Sequence, residues 1–261
     1  MEKKNIVKLL LVLVVAVGLI FLVVSQFNRV GTSEGSIDYY NLDKEISSKV
    51  DSLPSAWNSI SYNSIREILS DIDIAKGMSA LDSLQADNAQ TKVKDVFSTA
   101  STSYFSHSTW NEKELEHIKS IASFLRDNKI SSIVDGYYGA KSIISSSRSC
   151  ATQSAVENCI SKATTYNKAP WTNCTEIKDG LSSVKKTALD SYTSRSLIPL
   201  CNKLVDFKKN YTFFDDFDRD YQVATSGKAF LSKMDYNNSS FNSKYSSINY
   251  NQAANDLDPR F

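Results

Sequence analysis

Apolar residues recur along most of this chain at intervals of three and four, the spacing that lines one face of an α-helix. Tyr39, Leu42, Ile46, Val50, Leu53, Trp57 and Ile60 open the pattern, and Pro54 requires one helix to end and another to begin near Ser52. Ile65, Leu69, Ile72, Met78, Leu81 and Leu84 continue it past a weak point at Gly77, and Val93, Val96, Phe97, Ala100 and Tyr104 form the next stripe. A long amphipathic run follows through Leu115, Ile118, Ile121, Ala122, Leu125, Ile133, Val134 and Tyr137, with a break expected at Asp127-Asn128 and an end near Ser146. Thr109 with Glu112 and Ser154 with Glu157 have the spacing of capping boxes, and Asn173 with Glu176 is a weaker variant.

Further along, helices are expected near 155 to 167, 174 to 193 and 197 to 212, carrying Val156 and Ile160, then Ile177, Leu181 and Val184, then Leu200, Leu204 and Phe207. Phe217, Tyr221, Ala224, Leu231 and Met234 mark another. Residues 236–261 change to Asn, Ser and Tyr, a composition that suits an unordered tail, although Phe241, Tyr245 and Ile248 would also fit a short helix against the bundle. With no fixed repeat and only short β-branched runs, the fold expected is all-α, a bundle of about six to eight helices over residues 38–235.

One stretch breaks the amphipathic rule. Ile6 to Val24 is apolar throughout except for Lys8, and a helix of that length nearly spans the roughly 30 Å hydrocarbon core of a bilayer. Lys3, Lys4 and Lys8 precede or enter the run and only Arg29 closely follows it, a bias that holds the N-terminus inside. The expectation is an N-terminal transmembrane anchor at residues 1–27, then a flexible Gly-containing stalk at 28–37, with the bulk of the chain periplasmic or extracellular. A cleavable signal peptide is the alternative, weakened by the length of the apolar core and the lack of an Ala-x-Ala sequence after it.

That placement changes the reading of the cysteines. Cys150, Cys159, Cys174 and Cys201 fall within one short stretch on the side expected to be oxidising, so two disulfides are expected. If the three helices from 155 to 212 run up, down and up, Cys150 meets Cys201 and Cys159 meets Cys174; the sequential pairing, Cys150 with Cys159 and Cys174 with Cys201, is the alternative. Zinc is disfavoured because there is no CxxC pair and His107 and His117 lie well upstream.

Charge excludes some partners. Setting aside Lys3, Lys4, Lys8 and Glu2 from totals of 30 basic and 29 acidic residues leaves 27 and 28, a nearly neutral domain without the footprint of a nucleic-acid binder. Gly (8) and Pro (4) are scarce, which suits long helices better than a turn-rich sandwich.

The residues that could carry chemistry have ordinary alternatives. Asp216, Asp218 and Asp220 match the first positions of a calcium loop, but Tyr221 stands where that loop needs Gly and Gly227 where it needs an acid. Together with Asp215 they suit the first turns of a helix. Glu112, Glu114 and Glu116 alternate with lysine as on a solvated helix face, His117 reads as a surface or half-buried helix residue, and His107 lies in a polar Ser-Thr loop with no acid or Cys adjacent in sequence. No GxSxG, GxGxxG, P-loop or HExxH occurs, and no cofactor is called for. The stripe Phe207, Tyr211, Phe214, Phe217 and Tyr221 reads first as core and second as a ligand or peptide groove. Sequons at Asn173, Asn210, Asn237 and Asn238 would matter only on a eukaryotic secretory route. The functional expectation is a single-pass, envelope-anchored protein whose helical domain binds or scaffolds a protein partner outside the cytoplasm. The alternative is an envelope-acting hydrolase with carboxylates converging in a helical cleft.

Overall fold

The computed structural model describes residues 42–77 and 83–257. The expected membrane segment and stalk lie outside them, as do Tyr39, Met78 and Leu81 of the apolar pattern. Among the described residues the fold is all-α with no strand, and no helix there is long and apolar enough to cross a membrane.

The helices run in the order α1 (Leu42–Asp51), α2 (Ser59–Gly77), α3 (Ser83–Tyr104), α4 (Glu112–Phe124), α5 (Asn128–Ser147), α6 (Gln153–Tyr166) and α7 (Thr175–Tyr192). Then come α8 (Ile198–Val205), α9 (Phe207–Asn210), α10 (Phe214–Lys233), α11 (Ser239–Ser246) and α12 (Tyr250–Leu257). They are shorter and more numerous than the six to eight expected. One apolar core runs through all of them, from Ile46 on α1 to Ala253 on α12. Its centre is α5 against α4, α6 and α7, where Leu115, Ile118, Val134, Val156, Ile177 and Val184 are wholly buried.

The break expected at Asp127-Asn128 is present. Arg126 takes a positive φ of 52°, and Asp127 caps α5 by accepting from the Ile130 amide at 3.1 Å. Two other caps differ from expectation. Helix α4 is capped by Asn111, whose Oδ1 accepts from the Lys113 amide at 2.9 Å, and not by Thr109. The cause is Trp110, which is buried against Phe105 and donates from Nε1 to the His107 carbonyl, so the chain stays non-helical until it has passed. Helix α6 is capped by the Thr152 hydroxyl, two residues ahead of Ser154, which extends the helix toward Cys150. Asn173 does not cap α7 either, since its side chain donates to the Phe105 carbonyl at 3.0 Å.

The up-down-up trio is not what forms. Residues Thr193–Leu197 make a π-turn in which the Ile198 amide reaches back to the Thr193 carbonyl, so α7 passes into α8 without reversing. Pro199 has no amide proton to give, and the wider turn ahead of it accommodates that loss within a continuous helical path. The Cys150 to Cys201 pairing needed a reversal there and loses its geometric premise.

The C-terminal region is ordered as two short helices, in place of an unordered tail. Phe241 and Ala253 are wholly buried, and Asn238 caps α11 by accepting from the Phe241 amide at 3.0 Å. A polar composition tolerates this because a few large apolar groups, Phe241, Tyr245, Ile248, Tyr250 and Leu257, all face the body of the domain.

Candidate binding face

Helix α10 carries Phe214, Phe217 and Tyr221 of the aromatic stripe, with Phe207 on α9 and Tyr211 just after it, and the neighbouring helices decide which part of the stripe is core. Phe217 is wholly buried, meeting Phe207 and Tyr211 edge-on at 6.0 and 5.4 Å between ring centres. Phe214 and Tyr221, one turn to either side, are only half-buried. The terminal helices bring Tyr245 and Tyr250 against them: Tyr221 lies 4.6 Å from the Tyr250 ring and 6.0 Å from that of Tyr245. Phe213, just ahead of α10, is 63% exposed. The stripe is therefore core at Phe207, Tyr211 and Phe217 and surface-edged at Phe214 and Tyr221.

Polar partners fix the rings in place. Tyr250 donates to Asp218 at 2.7 Å, and Tyr211 donates to Asp220 at 2.8 Å. Lys203 of α8 reaches the same Asp220 oxygen at 2.8 Å with its ammonium 4.5 Å above the Tyr211 ring. Thr225 gives its proton to the Tyr221 carbonyl, so Tyr245 is the donor in its 2.9 Å bond to the Thr225 hydroxyl. Lys228 sits 4.5 Å over the Tyr245 ring. Burial alone would raise the Asp220 pKa, but Lys203 and Tyr211 outweigh it and hold the carboxyl below the ordinary range. Burial and the bond to Asp220 push the Tyr211 phenol well upward. These groups are settled as carboxylate and phenol at neutral pH, and their bonds hold the rings in position.

The residues that resembled a calcium loop are thus divided. Asp220 faces α8, Asp218 faces α12 and Asp216 pairs with Arg219 at 3.0 Å along the helix surface. Among the described residues no three His, Cys, Asp or Glu side chains gather as a metal site. The glutamates on α4 also separate. Glu112 binds Lys141 on α5, with Glu176 3.4 Å from the same ammonium. Glu114 accepts from Trp57 Nε1 at 2.7 Å.

That last contact belongs to a cluster that sequence spacing did not reveal. His117 stacks on Tyr62 at 4.0 Å and 10°, Arg66 covers Tyr62 at 5.6 Å, and His117 Nδ1 lies 3.9 Å from Glu114. The helical period puts Glu114 and His117 on one face of α4, but Trp57 and Tyr62 reach them from a loop and α2, far away in sequence. His107 lies exposed beyond this cluster, its ring 6.1 Å from that of Tyr104. A cavity of about 160 Å³ beside α1 is lined by Ile46, Ser47, Val50, Gln85, Asn88, Ala89 and Lys92, a set without a carboxylate.

All four cysteines are buried, and no two of their sulfur atoms lie at bonding distance. Cys150 and Cys159 are the close pair, with Sγ atoms 3.4 Å apart, the first step of the sequential pairing and not of the nested one. Cys174 lies at the start of α7 and Cys201 within α8.

Fold and face together define an all-α domain with one apolar core and a tyrosine-edged surface held by carboxylates. No family model, curated protein or solved structure matches the chain.

Proposed function

We propose that this chain is an envelope protein anchored by one N-terminal transmembrane helix at Ile6 to Val24, with a disulfide-containing helical domain that binds a protein partner outside the cytoplasm. The observation that carries the binding role is the face formed by Phe214, Tyr221, Tyr245 and Tyr250 beside the exposed Phe213. Tyrosine and phenylalanine with one edge in solvent and the body held rigid supply large contact area at low entropic cost, the composition that protein interfaces favour. Rigidity comes from the bonds of Tyr250 to Asp218 and of Tyr245 to Thr225. The hydrolase reading gains less, because Glu112, Asp216 and Asp220 each pair with a lysine or arginine and do not converge on a common cavity.

The anchor rests on the apolar run, its flanking lysines and the nearly neutral domain that follows. Its test is protease treatment of intact cells from which any outer barrier has been removed, with the full-length chain carrying an epitope at each end. Loss of the C-terminal epitope with retention of the N-terminal one in the membrane fraction supports this topology; protection of the C-terminal epitope until the membrane is dissolved overturns it.

A further inference from the structure

The corner between α5 and α6 holds the two closest thiols. Cys150 follows the last turn of α5, and Cys159 is in the second turn of α6. Both are buried, and their sulfur atoms lie 3.4 Å apart. The backbone between them is held from outside: Ser191 donates to the Arg148 carbonyl at 3.0 Å, Ser196 donates to the Ala151 carbonyl at 2.6 Å, and Thr152 caps α6. The two carbonyl contacts come from the end of α7 and the π-turn, so the corner is fixed by a third element as well as by its own helices. A bond between them requires the sulfurs to close from 3.4 Å to the roughly 2.0 Å of a disulfide. Cys174 and Cys201 have no comparable neighbour: Cys174 lies near Tyr104 and Tyr137, and Cys201 is wholly buried in α8.

From this geometry we infer that Cys150 and Cys159 form a structural disulfide in the mature protein, while Cys174 and Cys201 remain buried thiols. The inference deepens the reading of the domain as extracytoplasmic and rests on it, because an oxidising space is needed for the bond to persist. The oxidant is another disulfide, either of a thiol–disulfide oxidoreductase or of a small molecule. One cysteine thiolate attacks that disulfide, forming a mixed disulfide and releasing the first oxidant thiol. The second thiolate then attacks the mixed disulfide at the protein sulfur, which makes the Cys150 to Cys159 bond and releases the second oxidant thiol. Two protein thiols are oxidised, one oxidant disulfide is reduced, and the two protons leave on the oxidant's thiols. Burial raises the Cys150 pKa, and the neighbouring Cys159 raises it further, which slows attack in the folded state.

The test uses full-length protein solubilised from its native cells, alkylated under acid-quenched conditions and mapped without reduction. The expected result is one linked peptide pair joining Cys150 to Cys159, with alkylated Cys174 and Cys201 recovered after unfolding. Reductant is expected to lower the melting midpoint by roughly 5 to 10 °C, and Cys159→Ser to remove that sensitivity. A linkage through Cys174 or Cys201, or four alkylated cysteines, overturns the inference. In the four-thiol case, refolding the full chain with glutathione disulfide separates the causes. Closure of Cys150 to Cys159 in vitro then means that the compartment is wrong, and failure to close means that the geometry is wrong. The C174A/C201A variant keeps the readout available if a serine at 159 prevents folding, since it is expected to retain both the bond and the reductant sensitivity.

Discussion

Tyr250, on the last helix, donates a 2.7 Å hydrogen bond to the carboxylate of Asp218 on α10, and so ties the Asn- and Ser-rich end of the chain to the aromatic stripe. The tie is one of several, because Phe241 on α11 is wholly buried and Lys208 on α9 pairs with Asp256 on α12 at 2.9 Å. Tyr250→Phe is expected to cost about 1 kcal/mol, the net worth of one hydrogen bond to a charged acceptor at a partly exposed site. Phe241→Ala leaves a cavity under the terminal helices and is expected to cost about 3 to 4 kcal/mol. Urea unfolding of both variants checks the order, and an unchanged midpoint for Phe241→Ala would mean that the terminal helices do not belong to the core.

Gly136 on α5 is where Trp171 approaches the helix backbone. A Cβ there would overlap the indole ring, whose Nε1 donates to the Ile133 carbonyl at 2.8 Å. Gly136→Ala therefore gains helix propensity but displaces the ring, with a net loss of about 1 to 2 kcal/mol expected. Gly77→Ala is the control, since among the described residues nothing lies within 4 Å of a Cβ at that position. Thermal melting should show the first lowered and the second unchanged or slightly raised.

Much of the helical pattern was readable because the period of 3.6 survives wherever one face meets the core, as at Leu115, Ile118, Ile121 and Ala122. The break at Asp127 was readable too, because a capping acid and a neighbouring Asn mark it locally. The caps at Asn111 and Thr152 were misplaced by two residues because distant packing of Trp110 and the fixed α5 to α6 corner override the capping-box spacing. The π-turn at 193–197 has no sequence signature beyond Pro199, and reading a reversal there favoured Cys201 over Cys159 as the neighbour of Cys150. The phenol–carboxylate pairs were legible only as separate acids and aromatics. Their joining depends on α8 and α12 arriving at opposite sides of α10.

Acid should weaken this fold through identifiable carboxylates. Burial tends to raise the Asp127 pKa, but the Ser98 hydroxyl, the Ile130 amide and Lys94 outweigh it and hold the group below its ordinary 3.8. Asp190 and Asp220 are also lowered, each by a lysine and a tyrosine that outweigh burial. A carboxyl whose folded pKa is depressed stabilises fully above the unfolded value, and that contribution is lost as pH falls through the folded one. Stability is therefore expected to decline below about pH 4. Asp127→Asn keeps the cap but not the charged acceptor for Ser98 Oγ, so it should cost about 1 kcal/mol at pH 7 and less at pH 3. Urea midpoints at the two pH values test this, and a constant difference would mean that Asp127 does not contribute to the acid dependence.

The measurement closest to the central claim is site-specific photo-crosslinking in native cells, with a diazirine amino acid in the full-length chain at Phe213 and, separately, at Phe124. Both positions are at least half exposed, and only Phe213 adjoins the tyrosine face. A binding face on α10 predicts a discrete covalent adduct with one envelope protein from position 213, competed by unlabelled domain, and none from 124. Equal adducts from both positions, or no adduct from position 213, would contradict it.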